Sequence, residues 1–162
     1  MDFETYVLRQ YFRQVINAAN RRLLKMVSGQ FKLVCRDLSD LGGQGASGLD
    51  LDVYSMVTDS IRDVKTLSGG ESFMAALSMA LGLADIIQNS AGAVQLETMF
   101  IDEGFGSLDD ESREQAIMIL NQLAGDHRIV GIISHVTELK EQIDHKLIVE
   151  KTDQGSKVHW NI

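Results

Sequence analysis

The chain has 162 residues, 44% of them hydrophobic, which is enough for one domain with a buried core. No segment approaches the ~18 unbroken apolar residues of a membrane span, and the charged opening MDFETYVLRQ lacks the apolar centre of a secretion signal. The net charge of −8 hides a division: residues 1–36 carry seven Lys/Arg against two acids, while the rest carries eight against 21. An acidic body repels a phosphate backbone and a basic first helix can touch one, although a solvated helix face explains the same pattern, so the charge decides little.

Phe3, Val7, Tyr11, Val15, Ala19, Leu23 and Val27 recur every fourth residue, with Leu8, Phe12, Ile16 and Leu24 in an adjacent row. The two rows predict one helix of roughly 26 residues, about 39 Å long, ended by Ser28-Gly29. It starts without a strong N-cap, as a helix cut from something longer would. QFKLVCR (30–36) and LDLDVYSMV (49–57) alternate with period two and predict a hairpin around the glycine-rich LGGQGASG (41–48). That tip has no lysine and leads into a strand, so it is not a nucleotide-binding loop. Cys35, the single cysteine, reads as a small apolar strand residue and fits a reducing cytoplasm.

After KTLSGGES (65–72), the positions Phe73, Ala76, Leu77, Ala80, Leu81, Ala84 and Ile87 predict an apolar helix to about Gln88. ETMFIDE (97–103) reads as a buried-type strand, and DDESREQAIMILNQLA (109–124) as a helix with acids in its first turn, as its dipole prefers. RIVGIIS (128–134) is a second apolar strand and VTELKEQI (136–143) a short helix. HKLIVEK and KVHWNI close the chain as a hairpin around Asp153-Gln154-Gly155. Alternating strands and helices with unbroken apolar strands predict an α/β fold, a largely parallel sheet covered on both faces by helices.

Three constellations carry chemistry. Leu67-Ser68-Gly69-Gly70-Glu71 sets two glycines at a helix start, where unpartnered N–H groups favour an anion and nothing keeps phosphate oxygens from the backbone. An ordinary helix start capped by Ser68 accounts for the same residues. Asp102 and Glu103 stand at the C-terminal end of an apolar strand, where parallel sheets expose their sites. The chemistry assigns Asp102 to Mg²⁺ and Glu103 to an attacking water, against the plainer reading of two solvated acids. Gly131-Ile132-Ile133-Ser134-His135 ends a second strand in a histidine able to donate to a phosphate oxygen. A lone strand-end histidine is more often structural. The acid pair follows Glu71 by 31 residues, and His135 follows Glu103 by 32. In that order and spacing, coincidence becomes hard to sustain.

In combination these motifs resemble the ABC-type ATPase heads. LSGGE is similar to the signature motif, TMFIDE to Walker B, Ser107-Leu108-Asp109 to the D-loop and ISH to the switch histidine. Within that superfamily, TLSGGESFMAALSMALGLADI, FIDEGFGSLDDES and VGIISHVTELKEQI look most like the C-terminal half of the SbcC family, ATPases of a DNA double-strand-break nuclease. The likeness runs from about Leu8 to Lys157. Gly104-Phe105-Gly106 stands where transporter ATPases usually continue with proline.

The resemblance implies a C-terminal head lobe over residues 29–162, with residues 1–28 the end of a coiled-coil arm. It implies an N-terminal half carrying Walker A, a G-x-x-x-x-G-K-[ST] loop of which this sequence has none. Two such heads would sandwich ATP and Mg²⁺. Leu67, Ser68, Gly69, Gly70 and Glu71 would face the γ-phosphate held by the opposing head, and Asp102 would bind the metal shell. Glu103 would activate water and His135 would contact the phosphate on its own side, with Ser107, Leu108 and Asp109 linking the two sites. The implied partners are the N-terminal half, a second head, the nuclease subunit SbcD and DNA, in the cytoplasm and without a membrane. Two alternatives remain open: a head of another SMC-like ATPase or a transporter, and an interaction module that caps a partner without catalysis.

Overall fold

The computed structural model describes residues 3–36, 49–91, 97–124 and 129–161. The first helix, α1, spans Phe3–Met26, and its end is set by two left-handed residues, Ser28 (φ 49°) and Gly29 (φ 73°). Its C-terminal half is buried through Val15, Ile16, Ala18, Ala19, Leu23 and Met26, whereas Phe3, Tyr6, Leu8 and Tyr11 are exposed. The predicted apolar rows are present; their second half is largely buried, and before it Phe12 packs partly against the core.

Strands β1 (Phe31–Cys35) and β2 (Leu51–Ser55) pair antiparallel as expected, while the stretch 41–48 between them lies outside the described residues. A third strand, β3 (Ser60–Asp63), extends this sheet in the order β1-β2-β3. Arg36, just after β1, bonds Asp52 on β2 and Asp63 on β3, a staple across all three strands. Asn20 of α1 bonds both the N–H and the carbonyl of Leu33 at 2.8 Å, taking the place of a neighbouring strand along the free edge of β1. Cys35 is partly buried against the core, as its apolar reading anticipates.

Helix α2 (Gly69–Ala91) packs chiefly on α1. Its length and apolar composition suffice to cross a membrane. In this fold, however, Met74, Ala75, Leu77, Ser78, Leu81 and Ala84 are buried, much of that surface lying against α1. The backbones meet at Gly82, where a Cβ would lie 2.7 Å from Ala19 N and from the Val15 carbonyl oxygen. Arg22 grips the Asp85 carboxylate with two hydrogen bonds beside that crossing.

Strands β4 (Thr98–Asp102) and β5 (Ile129–Ile133) form the expected parallel pair, joined through α3 (Asp110–Ala124). Among the described residues parallel pairing is confined to these two strands, and the other three pairings are antiparallel. Coverage is one-sided where both faces were expected covered. Met99, Ile101, Val130 and Ile132 pack on the core, while Phe100, Ile129 and Ile133 are exposed because no described element crosses that side. The short helix α4 (Thr137–Gln142) follows, and the hairpin β6 (Lys146–Thr152) and β7 (Gly155–Asn161) closes the chain. Leu147 pairs with Trp160 and Val149 with Val158, which puts four exposed apolar side chains on one face of the hairpin.

Candidate active site

Ser68 is the N-cap of α2. Its Oγ accepts from the Glu71 N–H at 3.2 Å, and the Glu71 carboxylate accepts from the Ser68 N–H at 2.7 Å, a reciprocal capping box. The capping read from sequence is therefore real, and it leaves the Ser68 O–H hydrogen free to donate outward. The approach to this turn is tightly bonded. Asp63 accepts from the Lys65 N–H at 2.8 Å, opening the short 3-10 turn Val64–Thr66, which ends at Leu67. Arg62 reaches the Thr66 carbonyl and hydroxyl at 3.1 Å and the Glu71 carboxylate at 3.5 Å. Sequence patterning did not find Arg62, because β3 is too short and too exposed to show a period.

Gly69 and Gly70 open α2 against the loop that follows β4. A Cβ on Gly70 would lie 2.8 Å from the Ser107 carbonyl oxygen, so the two segments touch through their backbones. Ser68, Gly70, Glu71, Ser107, Leu108 and Asp109 line one cavity of about 340 Å³ with the C-terminal end of α1. Asp109 caps α3 by accepting from the Ser112 N–H at 2.8 Å, and Ser112 holds its carboxyl below the ordinary aspartate value of 3.8. Ser107 turns its hydroxyl back onto the Gly104 carbonyl at 2.7 Å, and Leu108 is buried.

A second cluster sits at the C-terminal ends of β4 and β5. Parallel pairing puts Asp102 opposite Ile133, so residues 102–103 and 134–135 emerge side by side. Glu103 takes a left-handed conformation (φ 59°) while its N–H still bonds the Ile133 carbonyl at 2.9 Å. His135 Nδ1 lies 3.1 and 2.9 Å from the two Glu103 carboxylate oxygens, and both side chains are at least half exposed. Asp102 is exposed. Its carboxylate makes no hydrogen bond among the described residues. No group of three metal-ligating side chains occurs among them either. One free carboxylate is the donor set that suits Mg²⁺ completed by phosphate oxygens and water.

The sequence-predicted residues thus fall into two groups, 67–71 with 107–109, and 102–103 with 135. Comparison with known proteins shows what the chain is similar to. Residues 49–122 match the family described as SbcC/RAD50-like, Walker B motif. This segment therefore resembles the SbcC/RAD50-like Walker B family. The chain is 46% identical over 158 residues to the SbcC component of the SbcCD nuclease of Treponema pallidum and 52% identical over 151 residues to that of Vibrio cholerae. These alignments cover 98% and 93% of this chain but 15% of each relative, so the SbcC-like chain spans about one seventh of their length. Its fold is shared with part of SMC ATPase heads. One solved chain, described under ATP-driven dimerization and DNA stimulated activation of SMC ATPases, superposes with a TM-score of 0.69 at 16% identity, over 96% of this chain and 88% of that one. The Smc head domain of Pyrococcus furiosus, solved with an extended coiled coil and bound to the C-terminal domain of ScpA, gives 0.64 at 16% identity, over 96% and 36%.

Proposed function

We propose that this SbcC-like chain is the C-terminal half of an ATPase head. Joined to a Walker A half, it hydrolyses ATP between two dimerised heads and drives a cytoplasmic DNA double-strand-break nuclease complex with SbcD. The observation that carries the reading is the pairing on one chain of a capped glycine turn facing outward with the cluster of Asp102, Glu103 and His135, in a sequence without a G-x-x-x-x-G-K-[ST] loop. Each cluster is half of a phosphoryl-transfer site, and neither holds a nucleotide unaided.

The turn would read a γ-phosphate carried by the opposing head, with the Ser68 hydroxyl and the Gly69 and Gly70 amides as donors. Asp102 would hold Mg²⁺, which supplies charge neutralisation on the phosphates when bound. Glu103 would take the proton of the attacking water, and His135, already hydrogen-bonded to it, would donate to the phosphate on its own side. Ser107, Leu108 and Asp109, packed against the turn, would connect the two sites. Residues 1–28 would continue into a coiled-coil arm, and the exposed apolar residues of β4, β5, β6 and β7 would be covered by the N-terminal half.

The test is reconstitution. This chain mixed with a Walker A half is expected to release phosphate from Mg-ATP, and Glu103→Gln is expected to keep ATP-driven dimerisation and lose turnover. Tight binding and turnover of Mg-ATP by this chain alone would overturn the reading, as would a wild-type rate in the Gln variant.

A further inference from the structure

Between the two clusters lies a contact that neither role requires. Gly104 directly follows Glu103 and is also left-handed (φ 95°). The Phe73 ring, in the first turns of α2, occupies the space a side chain at 104 would need: a Cβ there would lie 2.2 Å from two ring carbons. Phe73 also packs on Phe105, edge to face at 4.9 Å between centroids, and Phe105 is fully buried. The Ser107 hydroxyl donates to the Gly104 carbonyl. Two consecutive left-handed residues, one of them not glycine, persist only where their surroundings over-determine them. Here the surroundings are a ring borne by the helix that carries the phosphate-reading turn.

We propose that Phe73 is a positioning residue for Glu103: seated on Gly104, its ring sets the backbone that aims the carboxylate and ties that aim to the turn Ser68–Glu71 on the same helix. The inference rests on the proposed function, since it takes Glu103 as the base. It also gives Gly104 a physical reason, because proline is confined to φ near −65° and any other side chain meets the ring.

The experiment is a double-mutant cycle in the head reconstituted from this chain and a Walker A half, using Phe73→Ala, Gly104→Ala and the pair. Gly104→Ala is expected to lower kcat about 100-fold and Phe73→Ala about 10-fold, the scale that small misplacements of a reacting group produce. KM for ATP and ATP-driven dimerisation should stay near wild type, because the capping box rather than Phe73 holds the turn. The pair should lose clearly less than the product of the single losses, since removing the ring makes room for the added methyl. Phe73→Leu, which keeps apolar volume without the flat ring, serves if the Ala variants unfold, and it too should lose kcat at constant KM. Full kcat in a folded Phe73 variant, losses that simply multiply, or a defect confined to dimerisation would each overturn the inference while leaving Glu103→Gln inactive. A reconstituted wild type without turnover would sink the proposed function and this inference together.

Discussion

Ser68 meets two demands with one hydroxyl. Its oxygen completes the start of α2, and under the proposed function its hydrogen would donate to the phosphate, so substitution separates stability from recognition. Ser68→Ala should cost about 1 kcal/mol of stability, the usual value of a lost N-cap, in urea unfolding. Ser68→Arg should abolish ATP-driven dimerisation of the reconstituted head by putting bulk and charge against the turn, and an intact dimer in sedimentation would contradict that. Acid sensitivity also belongs to single residues. Asp109, beside Ser112, and Asp63, beside the Lys65 N–H and Arg36, both titrate below the ordinary 3.8 in the folded chain. A carboxyl depressed by folding stabilises the native state fully above its unfolded value and ceases to do so as pH falls through its folded one. Stability should therefore decline as the solution is acidified below about pH 4. Asp109→Asn, which still accepts from Ser112, should flatten that decline in melts recorded from pH 2 to 6.

Two helix backbones pack closely where α1 crosses α2. Ala19 and Gly82 let the backbones touch there, and the Arg22–Asp85 pair borders the crossing. On an isolated helix Gly82→Ala would gain about 1 kcal/mol from propensity. Here the new methyl would lie 2.7 Å from two backbone atoms of α1, neither of which belongs to a flexible side chain that could swing away. Overpacking of this kind costs about 1–3 kcal/mol, so the collision wins. Gly82→Ala should lower the urea midpoint and separate α1 from α2. A rise in stability would mean that the crossing is looser than described.

Among the described residues, the strands of the second half carry exposed apolar side chains in two places, Phe100, Ile129 and Ile133 on the β4–β5 pair and Leu147, Val149, Val158 and Trp160 on the closing hairpin. Exposed patches of this kind mark places where another surface sits. Trp160, the single tryptophan, is 66% exposed and so reports on that event directly. Adding the proposed N-terminal half should shift its fluorescence to shorter wavelength and raise the melting temperature, because binding only the folded form stabilises it. Phe100→Asp should weaken the association at least about 10-fold, as truncation of a buried interface anchor does. The isolated chain's own stability should move by no more than about 0.5 kcal/mol, as for other exposed positions.

Much of the architecture was legible from one sequence because the signals are local. The i, i+4 rows located α1 and α2, alternation located β1 and β2, unbroken apolar runs located β4 and β5, and Ser68 was readable as an N-cap, while its reciprocal bond with Glu71 came from the structure. Strand β3 escaped because four residues at an exposed edge carry no period. The one-sided cover of β4–β5 escaped because an apolar strand reads the same whether its second face meets its own chain or another. Residue chemistry alone set out Asp102, Glu103 and His135 as a possible group, but only the parallel register of β4 and β5 brings His135 within 3.1 Å of Glu103. Likewise Phe73 reads as one more apolar position on a helix. That its ring rests on Gly104 depends on the angle at which α2 meets the loop after β4, a tertiary property that no pattern along the chain encodes.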